Sequence, residues 1–334
     1  MTNKVTVVGS LNVDTTLRIK RMPLPGETLS SESKSSAAGG KGANQAVAAA
    51  RAGADTKFVG RVGNDQAGQF MIDSLSENHI DTRYITKDEH AGTGSATILL
   101  DDNGQNSILV YGGANQCVSP ADVDNAQAAI ANADFVIAQF ETPQETTLEA
   151  FKLAKQHGVK TILNPAPAAK IDPEILKVTD LIIPNETECA TLTNVIIADE
   201  TSMLEAAGHF AQMGVKNLII TVGSKGAFYC TQNGYDFVPA FKVHAVDTTA
   251  AGDTFIGALS SQLKPDMSNI KEALIFAQRA SSITVQRMGA LPSIPTLVKT
   301  SQKSGFLALP MIKSEINVFD DLISLLLSFW QRRS

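Results

Sequence analysis

Short runs rich in Val and Ile recur along this 334-residue chain, separated by longer amphipathic or Ala-rich stretches. Residues 5–8, 135–138, 161–163, 181–183 and 218–221 lack the in-out alternation of a strand with one wet face, so they read as strands buried on both faces of a parallel sheet. Residues 145–157 and 202–213 carry helical periodicity. Each run is stopped by a glycine, Gly158 and Gly214, the residue best suited to the left-handed conformation that ends many helices. Strands alternating with helices predict an α/β fold: a doubly wound, mostly parallel sheet flanked by helices.

Two stretches depart from that rhythm. In 94–113, Ala96-Thr97-Ile98-Leu99 and Ser107-Ile108-Leu109-Val110 flank Asp101-Asp102-Asn103-Gly104, a hairpin signal. Residues 15–19 are extended before Pro23-Leu24-Pro25-Gly26, and 28–36 alternate small and polar residues. Segments 14–38 and 94–113 therefore predict a small β-sheet lid on a main domain covering 1–300. Residues 301–334 read as an extension whose stretch 320–330 has the pattern of an amphipathic helix.

Composition narrows the classes. With 43% hydrophobic and 19% charged residues the chain can bury one large core. A net charge of -6 with no Lys/Arg cluster argues against a nucleic-acid partner, whose phosphates demand clustered cations. Cys117, Cys189 and Cys230 are far apart and form no CxxC pair, which fits a reducing cytoplasm better than a disulfide framework or a Cys-rich zinc site. The first residues lead straight into a strand-like run without the layout of a signal peptide, and the apolar run 322–330 is far shorter than the roughly 20 residues of a membrane span. No membrane partner is expected.

In a parallel sheet, ligands bind beyond the carboxyl ends of the strands, so the residues after each apolar run carry the information. They are Asn12, Val13 and Asp14; Glu141; Asn164; Asn185 and Glu188; and Thr221 onward. Any one alone would pass as a turn former or helix cap. Their recurrence at one edge favours a site.

Two glycine-rich elements adjoin it. Gly39-Gly40-Lys41-Gly42 lacks the Lys-Ser/Thr ending of a Walker loop, and Gly92-Thr93-Gly94 lacks the third glycine of a dinucleotide fingerprint. In the first element glycines would let backbone approach a ligand, with Lys41 and Asn44 holding hydroxyls. The second, Asp247-Thr248-Thr249-Ala250-Ala251-Gly252-Asp253-Thr254-Phe255, opens a helix whose free amides and dipole suit a phosphoryl group. Asp253, in the first turn, is then placed to deprotonate an attacking hydroxyl. Its bland reading is a carboxylate that complements the helix dipole.

These two stretches, with Asn164-Pro165-Ala166-Pro167-Ala168 and Pro184-Asn185-Glu186-Thr187-Glu188, resemble the ribokinase-like carbohydrate kinases over about 4–295. The resemblance implies ATP-dependent phosphorylation of D-ribose at O5. It places the sugar against Asn12, Val13, Asp14, Gly40, Lys41, Gly42, Ala43, Asn44 and Glu141, with Asp253 as general base and amides of Ala250, Ala251 and Gly252 as an anion hole. It assigns ATP to Asn185, Thr221, Val222, Gly223, Ser224, Lys225, Gly226, Gly252, Asp253 and Gln278. Glu188 would serve Mg2+, through water. An activating K+ would lie by Asp247, Thr249, Thr284, Arg287, Gly289 and Ser293. A homodimer pairing through the lid sheets is implied as well. Other readings are a kinase of the same fold acting on deoxyribose, a nucleoside or another sugar, and a sugar-sensing module without turnover.

Overall fold

The computed structural model describes residues 2–301. The helix expected at 320–330 lies outside the described residues, as does the extension beyond Ser301.

In chain order, β1 (Lys4–Val8) is followed by β2 (Asn12–Arg18), β3 (Ser33–Gly39), α1 (Lys41–Arg51), β4 (Asp55–Gly63), α2 (Gln66–Glu77) and β5 (Asp81–Asp88). Next come β6 (Gly94–Leu100), β7 (Asn106–Tyr111), α3 (Pro120–Asn125), α4 (Gln127–Ala131), β8 (Phe135–Ala138), α5 (Gln144–Gln156) and β9 (Lys160–Leu163). The chain continues through α6 (Pro173–Lys177), β10 (Leu181–Ile182), α7 (Glu186–Thr193), α8 (Glu200–Gln212), β11 (Leu218–Thr221), β12 (Gly226–Thr231) and β13 (Gly234–Pro239). It closes with α9 (Ala251–Gln262), α10 (Ile270–Thr284) and α11 (Leu297–Ser301).

The main sheet runs β13-β12-β11-β10-β9-β8-β1-β4-β5. From β11 to β5 the strands are parallel, and β12 and β13 add an antiparallel edge. Because successive side chains point to opposite faces, Val5 and Val7 enter one core while Val8 enters the other. The first core receives α1, α2, α9 and α10, and the second α3 to α8. This is the doubly wound arrangement the apolar runs predict. Gly158 and Gly214 take φ of 74° and 105°, as their helix-stopping role requires.

The Ala-rich face of α1 is explained by its neighbour. At Gly257 of α9 a Cβ would stand 2.4 Å from the Gln45 carbonyl oxygen and 2.5 Å from the Ala48 Cβ, so only small residues allow these helices to meet. Their junction brings Asn44 and Gln45 alongside Asp253.

β3-β2-β6-β7 forms the separate four-stranded lid sheet. Its third segment starts later than the 28–36 pattern suggests: β3 begins at Ser33, because residues 20–31 fold into a loop closed by the Arg21–Glu27 ion pair. Where the lid leaves the main sheet, Asn115 Oδ1 accepts from the Leu11 N–H at 2.9 Å and Asn115 Nδ2 donates to Asn12 Oδ1 at 2.7 Å.

Candidate active site

Strand order reverses at β1, which lies between β8 and β4, and ligands of doubly wound sheets bind at the carboxyl ends flanking such a switch point. Three groups meet there. Glu141, just past β8, accepts from the Lys41 N–H at 3.0 Å and from the Ser10 hydroxyl. Asp14 arrives on β2 of the lid. Asp253 arrives on α9.

Asp253 is buried, yet both of its oxygens are held. Asn44 Nδ2 donates to Oδ2 at 3.0 Å and Gln45 Nε2 to Oδ1 at 2.9 Å. Burial, the largest influence, lifts its pKa above the usual carboxylate range, against the pull of Lys41 and these two amides. Asp14 is pushed up to about 6 by burial and then by the negative charge of Glu141 and Asp253. Burial works against the Lys41 ammonium, but Asp253, Glu141 and Glu188 together keep it above its ordinary value. Lys41 is thus the cation of a pocket crowded with carboxylates. Beside Asp253, Asn44 Oδ1 is buried with no hydrogen-bond partner. An orphaned buried acceptor costs about 1–3 kcal/mol, which a ligand hydroxyl would relieve.

The helix carrying Asp253 begins unusually. Its N-cap, Ala250, has φ 60° in the left-handed region, and no side chain caps the exposed amides. By contrast, α2, α7 and α8 are capped by Asp65, Asn185 and Asp199. Alanine at the N-cap forgoes about 1 kcal/mol, and a left-handed alanine costs about 1–2 kcal/mol more. Strain of this kind gathers at functional sites. Of the three amides expected to form the anion hole, that of Ala251 donates to the Thr248 carbonyl at 3.2 Å, closing the turn before the helix. Gly252 is exposed, and a Cβ there would meet nothing within 4 Å.

The glycines of the other element are required by close approach within the chain itself. A Cβ at Gly39 would collide with Asp14 Oδ2 at 2.1 Å, and one at Gly42 with the Ser10 N–H nitrogen at 2.5 Å. Gly40 takes φ 92°, and a Cβ there would stand 2.9 Å from the Asn12 nitrogen. They let the chain approach itself, so that β1, the lid and α1 share one corner. Gly42 and Ala43 are buried with their N–H groups on Ser10, and Val13 packs partly into the core. These three shape the pocket rather than offer side chains to it.

Asn185 and Glu188 form a reciprocal capping box on α7: Asn185 Oδ1 accepts from the Glu188 N–H at 2.8 Å, and Glu188 Oε2 from the Asn185 N–H at 2.9 Å. Burial lifts the Glu188 pKa, and nearby Asp253 adds to it, while the Asn185 N–H and Lys41 oppose. A bridge from Asn185 to Thr221 sets this box beside the loop after β11, where Gly223, Ser224 and Lys225 are exposed. Gly226 lies under that loop instead, packed where a Cβ would sit 2.1 Å from the Val238 carbonyl oxygen. Gln278 is buried on α10, one turn before Ser281, whose hydroxyl donates to the Ala251 carbonyl at 2.9 Å.

Asp247 ties the loop before α9 to the segment after α10. It accepts from the Thr249 N–H and hydroxyl at 2.9 and 2.6 Å and from the Gly289 N–H at 2.9 Å. Although burial raises its pKa, these donors hold it below the usual carboxylate range. Arg287 donates to the Ser293 carbonyl at 3.4 Å, while the buried Thr284 hydroxyl donates to Thr254 Oγ1 at 3.1 Å. Among the described residues no group of three or more His, Cys, Asp or Glu side chains is arranged to hold a metal ion.

Sequence reading passed over Ser10, which donates to Glu141, Asn115, which donates to Asn12, and Gln139, which donates to the Gln45 side chain beside Asp253. Gln139 carried a usable signal, as the first residue beyond a buried run at the switch point. Ser10 sits in a loop and Asn115 in a short 3-10 turn, Gly113–Cys117, and their partners are distant in sequence.

A strained helix N-terminus beside a buried carboxylate, at the carboxyl edge of a doubly wound sheet, is an arrangement suited to moving a phosphoryl group onto a hydroxyl. The chain belongs to the pfkB family of carbohydrate kinases, whose family model matches residues 2–297. Within that family it is 48% identical over 303 residues to the ribokinase of Staphylococcus aureus, covering 90% of this chain and 100% of that one. It is 53% identical over 296 residues to a bifunctional ribokinase/ribose-5-phosphate isomerase A of Fructilactobacillus sanfranciscensis. That match takes in 88% of this chain and 54% of the relative, so the chain spans about half the length of the bifunctional protein. The structure of Arabidopsis thaliana ribokinase complexed with ribose and ATP superposes with a TM-score of 0.84 at 34% identity, covering 90% of this chain and 98% of the other.

Proposed function

We propose that this chain transfers the terminal phosphoryl group of ATP to the 5-hydroxyl of D-ribose, giving D-ribose 5-phosphate and ADP. The observation that carries the reading is the buried Asp253 carboxylate, gripped by Asn44 and Gln45 at the mouth of an uncapped helix. The sugar lies between Asp14 of the lid, Glu141, and Asn44, whose unpartnered Oδ1 accepts a sugar hydroxyl. As the 5-oxygen attacks the γ-phosphorus, its proton passes to Asp253 and the bond to the β-phosphate oxygen breaks. The raised pKa of Asp253 makes it a better proton acceptor than an exposed carboxylate. Amides at the start of α9 stabilise the charge on the phosphoryl oxygens, and Lys41 offsets the carboxylates around the sugar.

The donors present fit Mg2+ held mainly by nucleotide phosphates and water, with Glu188 as the protein's carboxylate; bound there, the ion neutralises phosphate charge. Oxygen donors around an ionised Asp247 fit K+, with Thr249, Thr284, Arg287, Gly289 and Ser293 nearby. Such an ion would order the loop leading into α9. A homodimer through the lid is supported by β7, where Leu109 and Val110 are 67% and 68% exposed on opposite faces of an edge strand. Among the described residues no helix is long and apolar enough to cross a membrane. Buried thiols at Cys189 and Cys230 suit a cytoplasmic setting.

Replacing Asp253 with Asn tests the mechanism. We expect kcat to fall by about 10²–10⁴, the usual contribution of general-base catalysis, with ribose affinity by calorimetry kept within a few-fold. Turnover within tenfold of the unaltered protein would sink the assignment.

A further inference from the structure

Asp253 does not stand on Asn44 alone. Gln45, fully buried on α1, donates through Nε2 to Asp253 Oδ1 at 2.9 Å and to Asn164 Oδ1 at 3.0 Å. Its own Oε1 accepts from Gln139 Nε2 at 2.7 Å. Asn164 in turn donates to the Ile183 carbonyl at 3.1 Å. Gly9 makes room for Gln139, since a Cβ there would stand 2.3 Å from Gln139 Oε1. The carboxyl ends of β8 and β9 are thereby linked to the helix carrying the base.

A primary amide donates at one end and accepts at the other, so the relay has a direction. With Gln139 donating to its oxygen, Gln45 must turn its NH2 toward Asp253. Reversed, Gln45 would set oxygen against Asp253 Oδ1 and Asn164 Oδ1, and NH2 against NH2 at Gln139. The Gln139 amide cannot serve better by turning, and its Oε1 is left buried without a partner. That orphan is the cost of keeping the donor aimed at Gln45. Both oxygens of Asp253 receive N–H donors, a pattern matched to its ionised form.

We propose that Gln45 is a positioning residue for the phosphoryl-transfer base, with its orientation set by Gln139, and that the pair holds Asp253 ionised and aimed at the sugar hydroxyl. The proposal rests on the reading of Asp253 as that base. Other charged groups facing Asp253 are Lys41 on α1, Glu141 beyond β8, Asp14 on the lid and Glu188 on α7. All of them stay in place in the test.

The test compares kcat against pH, at saturating ribose and ATP, for the unaltered protein, Gln45→Met and Gln139→Met. Both substitutions are neutral and close in volume. For Gln45→Met we expect the acid limb to move up by about one pH unit, because the base loses one donor while its burial persists. We also expect kcat at pH 7.5 to fall about tenfold, with KM for ribose within threefold. Gln139→Met should move the limb the same way by less, since Gln45 keeps its N–H but loses what orients it. An unmoved limb in both variants overturns the proposal, as does a raised KM with an unmoved limb. Should Gln45→Met fail to fold by circular dichroism, the Gln139→Met profile decides. Asp253→Asn run alongside separates the two ideas: retained turnover there removes the base assignment itself, whereas an inactive Asp253→Asn with unmoved limbs removes only the relay.

Discussion

Replacing Gly252 with Ala separates stability from catalysis, because the two should change in opposite directions. Gly252 occupies the second position of α9 with an ordinary helical backbone, and an added Cβ meets nothing within 4 Å. Glycine inside a helix is worth about 0.5–1 kcal/mol less than alanine, chiefly through the greater freedom of the unfolded chain. The variant should therefore melt about 1–4 °C higher than the unaltered protein. The same open space is where a phosphoryl group must enter to reach the amides at the helix start. A methyl group there obstructs the approach, and losing one donor of an anion hole typically costs about 10²–10³ in kcat. Melting followed by circular dichroism and ADP release measured in a coupled assay read the two effects on one preparation. Turnover within threefold of the unaltered protein would show that the phosphoryl group does not use this space. A fall in melting temperature would show that the space is not open.

Three further outcomes follow from the geometry. The folded protein binds the Asp14 proton more tightly than the unfolded chain, its pKa rising from 3.8 to about 6, so this group costs stability as pH climbs through that window. Asp14→Asn should accordingly raise the melting temperature at pH 8 and lose that gain as pH falls from about 6 to below 3.8; an equal gain at both ends of that range would refute the coupling. Kinase rate at fixed Mg2+ should rise with K+, and Asp247→Ala should flatten the titration; equal rates in potassium, sodium and choline would remove that site. Leu109→Lys, on the exposed edge of the lid, should halve the mass measured by light scattering, and an unchanged mass would argue against pairing through β7.

Much of the main sheet is legible in residue order because strands buried on both faces leave unbroken apolar runs. β8 at Phe135–Ala138 and β11 at Leu218–Thr221 match their runs residue for residue. β4 and β5 escape the same reading. In β4, Lys57, Gly60, Arg61 and Gly63 interrupt the run, and Arg61 is accommodated only because Asp88 and Asp122 receive it at 3.1 and 2.9 Å. As the outermost strand, β5 has a largely polar sequence that gives no apolar signal. The start of α9 is legible because small residues preceding a carboxylate are a local pattern. The support around Asp253 is not: Gln45 meets Gln139 across 94 residues of chain and Asn164 across 119.

The amino-acid sequence by itself determined the alternation of strands and helices, the edge of the sheet where polar residues gather, and the residue types able to move a phosphoryl group. Those are properties of neighbours along the chain, set by side-chain period, glycine freedom and the caps of individual helices. Only the tertiary structure decided which glycines are pressed against the rest of the protein and which face open space. Gly42 closes onto Ser10 while Gly252 faces open space, though each is the second residue of its helix. It also decided that Asp253 is buried and held at both oxygens. Burial and hydrogen-bond direction depend on which distant segments share a small volume, and no local pattern encodes that.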